Sequence, residues 1–119
     1  MKLTGKRKKL RIYLDEDLRM GKVPLYRAIL EIFLKEGASG ATVFKGHEGF
    51  GFSHQLHTSR IIEMTERLPM VVEVVEEPKK LQKSLNLIGE ILPAHCLVTI
   101  EDVKVLDLFS PKGNPPKRK

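Results

Sequence analysis

Glycine and histidine residues crowd one short stretch of the chain. Within twelve residues the sequence carries three glycines and three histidines: Gly46, Gly49, Gly51, His47, His54 and His57. Glycine allows backbone N–H groups to converge on a small ligand, so such a loop can hold an anion or the edge of a purine. The same composition also fits a plain hairpin between two strands, and both interpretations stay open at this point.

The glycine spacing, G-x-x-G-x-G, matches neither of the familiar phosphate motifs. A dinucleotide-binding fingerprint needs a helix directly after its glycines, whereas residues 52–58 are polar and show no apolar helical face. A P-loop needs Gly-Lys-Ser or Gly-Lys-Thr, which this sequence lacks. Lys45 precedes the loop and Arg60 follows it. Each could meet a phosphate or act as a strand-edge charge that keeps a sheet soluble.

The histidines suggest an alternative chemistry, which is metal binding. Imidazole and carboxylate ligands suit zinc or copper, so His47, His54 and His57 are candidate ligands together with Glu48. Their spacing matches no familiar structural site, and the alternative is that they are surface histidines.

Catalysis finds less support in the sequence. Cys96 follows His95 directly, but neighbours on a strand point to opposite faces, so a nucleophile with its base is the weaker interpretation of this pair. The alternative is that Cys96 is a small buried hydrophobic residue. No Ser/His/Asp order stands out either. We therefore predict that the protein is not an enzyme and uses no catalytic cofactor.

The single cysteine agrees with a reducing compartment. No apolar run approaches the length of about 20 residues that is needed to span a membrane. We expect a cytoplasmic protein without membrane insertion.

Basic residues concentrate at the two ends of the chain. The net charge is +6, yet ten of the 21 lysines and arginines lie in residues 1–11 and 112–119. Residues 12–111 therefore carry 11 basic and all 15 acidic residues, a net charge of −4. We predict one domain at residues 9–108 between basic flexible tails at 1–8 and 109–119. Nucleic-acid binding through these tails is an alternative function that we do not favour.

Hydrophobic periodicity indicates the elements that must position the glycine loop. Residues 9–15 alternate as a half-buried strand, and a helix begins near Pro24 and ends at Gly37. Two faces of this helix are apolar, which is too much for one contact surface, so we expect a loop or a neighbouring subunit to cover it. A second strand at residues 41–44 leads into the loop.

The second half of the chain repeats this alternation of element types. Residues 59–68 fit a helix and a strand equally, and a β-branched third strand follows from Pro69, central in its sheet. A second helix begins at Pro78 and is stopped by Pro93. The last strand covers residues 97–108, and its apolar residues change parity at Glu101 and Asp102, which predicts a bulge or break there.

The order strand, helix, strand, strand, helix, strand predicts an α+β protein with the ferredoxin-like βαββαβ arrangement. Its four-stranded antiparallel sheet carries both helices on one face. The other face is left bare in so short a chain, which favours self-association.

Several of these segments together resemble a known family. GATV at residues 40–43, GHEGFG at 46–51, HTSR at 57–60 and LPMVVEVVE at 68–76 are similar to the PII signalling proteins. The match is closer to their small, functionally uncharacterised PII-like relatives. The resemblance spans about residues 9–108 and agrees in the order of the elements.

The resemblance implies a homotrimer with its sheets turned inward and an adenine nucleotide in each cleft between subunits. It implies that Thr42 faces the adenine and that Gly49, Phe50 and Gly51 line the nucleotide. Lys45 and Arg60 are our own candidates for phosphate contacts. The complete candidate set for nucleotide binding is Thr42, Lys45, Gly46, Glu48, Gly49, Phe50, Gly51 and Arg60.

The chain also departs from the PII pattern. PII proteins hold the phosphates with a second glycine-rich loop before their last strand, whereas residues 91–98 here contain neither glycine nor lysine. Residues 46–58 contain no counterpart of the tyrosine that is modified in some PII loops. We therefore expect ADP or AMP as much as ATP. In this hypothesis the ligand orders the loop at residues 46–58, which then docks on or releases an unknown partner protein.

Overall fold

The computed structural model describes the backbone of residues 2–50, 57–58 and 68–107, and the side chains within 6–50 and 68–106. The elements of this part of the chain are β1 (Lys2–Asp15), β2 (Arg19–Met20), β3 (Val23–Pro24), α1 (Leu25–Lys35), β4 (Thr42–Lys45), β5 (Glu48–Gly49), β6 (His57–Thr58), β7 (Pro69–Glu76), α2 (Pro78–Ile88) and β8 (Leu97–Asp107). Residues 59–67, with their ambiguous periodicity, and the predicted tail at 109–119 lie outside the described residues.

The four longer strands form one antiparallel sheet in the order β4-β7-β1-β8. Both predictions about the sheet are therefore confirmed, the ferredoxin-like α+β arrangement and the central position of β7. Every second residue of β7 is buried, and the register places Met70, Val72 and Val74 opposite buried Leu14, Ile12 and Leu10 of β1. The core joins this sheet face to both helices through Leu10, Ile12, Leu14, Met70, Val72, Val74, Leu25, Ile29, Phe33, Leu81 and Ile88.

Helix α1 begins and ends where its sequence signals predict. Pro24 is its N-terminal capping residue, and Gly37 has a φ of 81°, a conformation that glycine adopts without steric cost. The N–H of Ala38 donates to the carbonyl of Phe33 at 3.0 Å, and the N–H of Gly37 donates to Leu34 at 3.2 Å. These two bonds make a Schellman motif, which satisfies carbonyls that the helix end leaves unpaired.

The second apolar face of α1 is only partly covered in the described structure. Tyr26 and Leu30 are half-buried, whereas Leu34 remains 78% exposed. Cover by a neighbouring subunit therefore stays a prediction.

Helix α2 is shorter than the sequence predicts. It ends at Ile88, capped by Gly89, and residues 89–92 continue as turns in which Leu92 donates to Ile88 at 3.1 Å. Pro93 therefore follows the helix at a distance and does not stop it. The glycine accounts for the earlier end, because glycine has the lowest helix propensity after proline.

Strand β1 is longer than predicted, and the predicted bulge is misplaced. Residues 2–8, expected as part of a flexible tail, lie in β1 and pair with the far end of β8. Pairing is unbroken at Glu101 and Asp102, so the bulge expected there is wrong. The register instead shifts between Thr4 and Lys6. The extra residue of the bulge is a glycine, which suits a local break in the ladder.

Strand β8 changes the parity of its apolar residues because it carries such residues on both faces. Val98 lies opposite buried Ile12, whereas Val103 lies opposite Arg7 on the other face. Glu101 and Asp102 face Lys9 and Lys8 across the ladder, and Lys8 forms an ion pair with Asp102. Opposite charges on facing strands stabilise this register without a bulge.

The sheet face turned away from the helices, the open face, carries two contrasting rows. The ladder places one row that is mainly apolar and one row that is polar: Phe44, Val71, Tyr13 and Leu97, then Thr42, Glu73, Arg11 and Thr99. Phe44, Tyr13 and Leu97 are all exposed. No helix of the described residues packs on this face, which agrees with the bare face predicted from the sequence.

Candidate functional site

The base of the glycine loop is packed tightly against Pro69. The N–H of Gly46 donates to the carbonyl of Pro69 at 2.7 Å, and a Cβ on Gly46 would lie 2.6 Å from Pro69 Cγ. A Cβ on Gly49 would lie 3.2 Å from the same atom. Two of the three loop glycines therefore allow close approach to the first residue of β7. This close approach gives both glycines a structural role.

Two short strands, β5 and β6, pair with each other within the loop. Glu48 pairs with Thr58 and Gly49 with His57, which makes β5 and β6 an antiparallel pair. The hairpin interpretation of the glycine pattern is thus correct for the part of the loop that the structure describes.

Glu16 joins the two chain segments on either side of the loop, an arrangement we call the Glu16 bridge. Its N–H donates to the carbonyl of Leu68 at 2.9 Å, and its carboxylate Oε2 lies 3.0 Å from Lys45 Nζ. Lys45, a candidate phosphate contact, is therefore already paired with an acid. No local sequence pattern indicates this pair, because Glu16 and Lys45 are far apart in the sequence. They come together only when β1 and β4 join the same sheet.

The first cavity, of about 250 Å³, lies at the end of the sheet below the loop. Its wall combines the ends of β1 and β7, the segment before β8 and the loop residue Phe50: Tyr13, Leu14, Asp15, Leu18, Phe50, Pro69, Met70, Pro93, His95, Cys96 and Leu97. Most of this wall is apolar, with a few polar groups among its residues. That composition is typical of small-molecule sites.

Cys96, in this wall, forms a hydrogen bond with the backbone of β1. Its Sγ lies 3.2 Å from the carbonyl oxygen of Tyr13 and donates to it. Burial, and secondly the charge of Asp15, raises the pKa of the thiol. The thiol therefore stays protonated at neutral pH, and Cys96 is poorly suited to act as a nucleophile.

A second cavity, of about 370 Å³, lies at the start of β4, at the opposite end of this strand from the loop. Its walls are Ser39, Gly40, Ala41, Thr42, Glu73 and Val75. Glu73 Oε1 accepts a hydrogen bond from Arg11 Nε at 2.8 Å, and this bond, followed by one with Tyr13, raises the pKa of Arg11. Arg11 therefore stays charged beside the carboxylate.

Glu76 fixes the segment that forms this second cavity. The residue is only 3% exposed, and its two carboxylate oxygens accept hydrogen bonds from the N–H groups of Ser39 at 2.7 Å and Glu77 at 3.0 Å. Burial opposes ionisation, but the hydrogen bonds from Ser39 and Glu77, together with the charge of Lys80, outweigh it and lower the pKa of Glu76. The carboxylate thus holds the start of the chain segment that leads to Thr42.

The structure divides the predicted nucleotide residues instead of bringing them together. Thr42 lines the second cavity and Phe50 lines the first. Lys45 lies on the opposite sheet face from Thr42, since its ladder partner Met70 faces the core. Gly46, Glu48 and Gly49 form the loop base, and Gly51 and Arg60 lie outside the described residues.

The residues that sequence reasoning missed are Tyr13, Asp15 and Glu16. The sequence does contain a signal for Tyr13, because the alternation along β1 places its side chain on the open face of the sheet. Asp15 and Glu16 carry only their place at the end of that strand.

The metal-binding alternative is tested only in part. Among the residues whose side chains are described, no three His, Cys, Asp or Glu side chains gather as a metal site. His54 and the side chain of His57 lie outside that set. Within the described part of the chain, no helix combines the length and apolar character needed to cross a membrane.

Comparison with known proteins defines the family. The model of the DUF190 family, described as "Uncharacterized ACR, COG1993", matches residues 7–105. The chain belongs to this family. A UPF0166 protein of Aquifex aeolicus (strain VF5) is 36% identical over 104 residues, which cover 87% of this chain and 96% of that protein. A UPF0166 protein of Methanocaldococcus jannaschii is 32% identical over 100 residues, or 84% and 92% of the two chains.

Solved structures of PII-like proteins share the fold of this DUF190 chain. One is CPII, a nitrogen regulatory PII-like protein from Thiomonas intermedia K12, in a structure bound to ADP, AMP and bicarbonate. It superposes with a TM-score of 0.67 at 19% identity and covers 89% of this chain and 92% of its own. A proposed PII-like signalling protein of Thermus thermophilus gives 0.65 at 18% identity, with 89% and 94% covered. The fold predicted from the loop and strand motifs is therefore confirmed as PII-like.

Proposed function

We propose that this protein is a non-enzymatic regulator that binds an adenine nucleotide in clefts between the subunits of a homotrimer. The observation that carries the proposal is the first cavity. The loop residue Phe50 lines this cavity together with Pro93, His95 and Cys96 from the segment before β8. A ligand in this cavity would touch the loop and the rigid sheet at once. The similar fold of CPII, whose structure holds ADP and AMP, supports an adenine nucleotide as the class of ligand.

The size of the first cavity supports a site that is shared between subunits. Small-molecule sites usually measure about 300–1,000 Å³. At about 250 Å³ the first cavity is below this range, so a single subunit would enclose only part of a nucleotide. Thr42 lines a different cavity of the same subunit. We infer that the first cavity of one subunit faces the second cavity of its neighbour, which puts Phe50 and Thr42 on one ligand.

The charges around the first cavity bear on the preferred nucleotide. Its described lining residues include Asp15 but no lysine or arginine. Phosphate groups need cationic or N–H partners. Each further phosphate must therefore find its partner outside this wall, and we expect ADP or AMP to bind at least as well as ATP.

The loop is the natural route from ligand to partner protein. Phe50 directly follows β5 and lines the first cavity, so its contact with a ligand would favour one arrangement of residues 46–58. A regulator of this kind requires a difference in ligand affinity between the loop states. We propose that residues 46–58 present the bound state to a partner protein.

Binding and trimer formation can be tested together. ADP, AMP and ATP should each raise the unfolding temperature of the native oligomer, with about 2.7 kcal/mol of added stability at one hundred times the Kd. Sedimentation equilibrium should give three times the chain mass. Lys83→Ala, at an exposed position of α2, is the matched control and should keep the full shift. Absence of a shift with all three nucleotides would refute the proposed function.

Subunit mixing tests whether the cleft is shared. Phe50→Ala and Thr42→Val should each weaken ADP binding in homotrimers. A mixed trimer of the two variants should contain one intact cleft, since one subunit supplies Phe50 and its neighbour supplies Thr42. The double variant Thr42→Val/Phe50→Ala mixed with Phe50→Ala should restore none. If mixing the single variants restores no high-affinity binding, the site does not lie between subunits.

A further inference from the structure

The Glu16 bridge places an acid and a base beside the proposed ligand cavity. Asp15, the residue before Glu16, lines the first cavity, and so does Met70, the ladder partner of Lys45. Lys45 therefore lies beside a residue of the cavity wall. The described residues of that wall include no lysine or arginine. An anionic group that enters the cavity would come close to Lys45, whose ammonium group is already paired with Glu16.

The two partners of this ion pair are unequally solvated. The Lys45 side chain is 51% exposed, whereas that of Glu16 is 22% exposed. The second carboxylate oxygen, Glu16 Oε1, is buried and has no hydrogen-bond partner among the described residues. Glu16 thus depends on Lys45 for neutralisation, while Lys45 can exchange one anionic partner for another at its exposed end.

In this arrangement Glu16 and a phosphate group of the ligand compete for the ammonium group of Lys45. A phosphate that binds the Lys45 ammonium must take it from Glu16, and the lost ion pair subtracts from the affinity of the ligand. The N–H of Glu16 remains bonded to Leu68, so the carboxylate stays close to Lys45 after the exchange. The carboxylate then also repels the incoming phosphate.

We propose that Glu16 is a positioning residue that weakens and tunes the binding of anionic ligands by holding Lys45. This inference rests on the proposed nucleotide site. Its signature is dependence on ligand charge. Adenosine, which has no phosphate, does not need Lys45 and is indifferent to Glu16, whereas AMP and ADP are penalised by the bridge.

The test is isothermal titration calorimetry on the full chain with adenosine, AMP and ADP. Glu16→Gln keeps the shape of the side chain and removes its charge. It should bind ADP about two- to fivefold more tightly than the wild type, the range expected for a partly exposed ion pair. Affinity for adenosine should not change. Glu16→Asp, which retracts the carboxylate by one methylene, should give a smaller gain and serves if the first variant folds poorly.

Two further variants separate the competition from a general change of charge. Lys45→Met should abolish the gain, so that Glu16→Gln has no effect on ADP binding in that background. Glu77→Gln removes the acid of another ion pair, 3.6 Å from Arg7, and is the matched control that should leave all three affinities unchanged.

The outcomes distinguish this inference from the proposed function. If the wild type binds ADP and Glu16→Gln changes ADP and adenosine affinities equally or not at all, the competition is refuted and the nucleotide site stands. If the wild type binds no adenine compound, the proposed function fails, and pyrophosphate becomes the probe. Tighter pyrophosphate binding by Glu16→Gln would still support the competition. Equal or undetectable binding would overturn it.

Discussion

Adding one methyl group at Gly46 should destabilise the protein markedly. In Gly46→Ala the new Cβ would lie 2.6 Å from Pro69 Cγ and 3.2 Å from the carbonyl oxygen of Pro69. Carbon atoms in contact are usually about 3.5–4.0 Å apart, so the overlap is roughly 1 Å. The chain cannot retreat freely, because Gly46 donates to Pro69 at 2.7 Å and Lys45 pairs with Met70 just before it.

Such overpacking costs about 1–3 kcal/mol. For a chain of this size each kcal/mol lowers the unfolding temperature by roughly 3–5 °C, so we expect a loss of about 3–15 °C. Urea unfolding followed by circular dichroism gives the free energy directly. Gly40→Ala is the matched control, since a Cβ there would meet nothing within 4 Å, and it should be near neutral.

The clash can be assigned to the proline ring by a double-mutant cycle. Pro69→Ala removes Cγ, so the cost of Gly46→Ala should fall by about 1 kcal/mol or more in that background. If Gly46→Ala unfolds at the same urea concentration as Gly40→Ala, the close approach of the loop base to Pro69 is wrong. If the cost persists unchanged in Pro69→Ala, the strain comes from the backbone carbonyl and not from the ring.

Two further predictions concern the frame around the site. Glu76→Gln should cost about 1–3 kcal/mol at pH 7, because a charged acceptor of two N–H groups is lost. The pKa of Glu76 is lowered in the folded state, so its stabilisation is present above the ordinary glutamate pKa and is lost as the pH falls through the folded value. The wild type and the variant should therefore converge in acid unfolding curves below about pH 4.5, and a difference that stays constant with pH would contradict this. On α1, Phe33→Ala should cost about 3–5 kcal/mol because Phe33 is fully buried, whereas its exposed neighbour Leu34→Ala should cost less than about 0.5 kcal/mol in urea unfolding. Equal costs at these two positions would mean that the helix faces are assigned wrongly.

Local patterns in the sequence predicted the fold well because they reflect local physics. The alternation in β7, the proline before α1 and Gly37 after it all act within a few residues, and the structure has them as predicted. The bulge failed for a different reason. The parity change in β8 reflects apolar residues on both of its faces, and the extra residue that breaks the ladder lies in β1, where the pattern of β8 does not reveal it.

The candidate site was less predictable because it depends on residues far apart in the chain. Gly46 and Gly49 suggest a ligand loop, yet the structure gives them Pro69 as a neighbour, twenty or more residues later. Lys45 has no obvious acidic partner in its own segment, and its pairing with Glu16 requires the sheet to be known. Spacing identifies which residues are unusual, whereas the contacts that explain them are set by topology.

The pairing of β1 with β8 has a consequence for how the protein folds. Lys2 lies opposite Asp107, so the sheet joins the two ends of the described chain and its contacts are separated by up to about a hundred residues. High contact order slows folding, because a long loop must close before these contacts form. During synthesis β1 is made long before β8, and its edge stays unpaired until β8 emerges from the ribosome. A ribosome-bound chain that ends before Leu97 would expose that edge, which makes delayed translation of the last strand a point of vulnerability to aggregation.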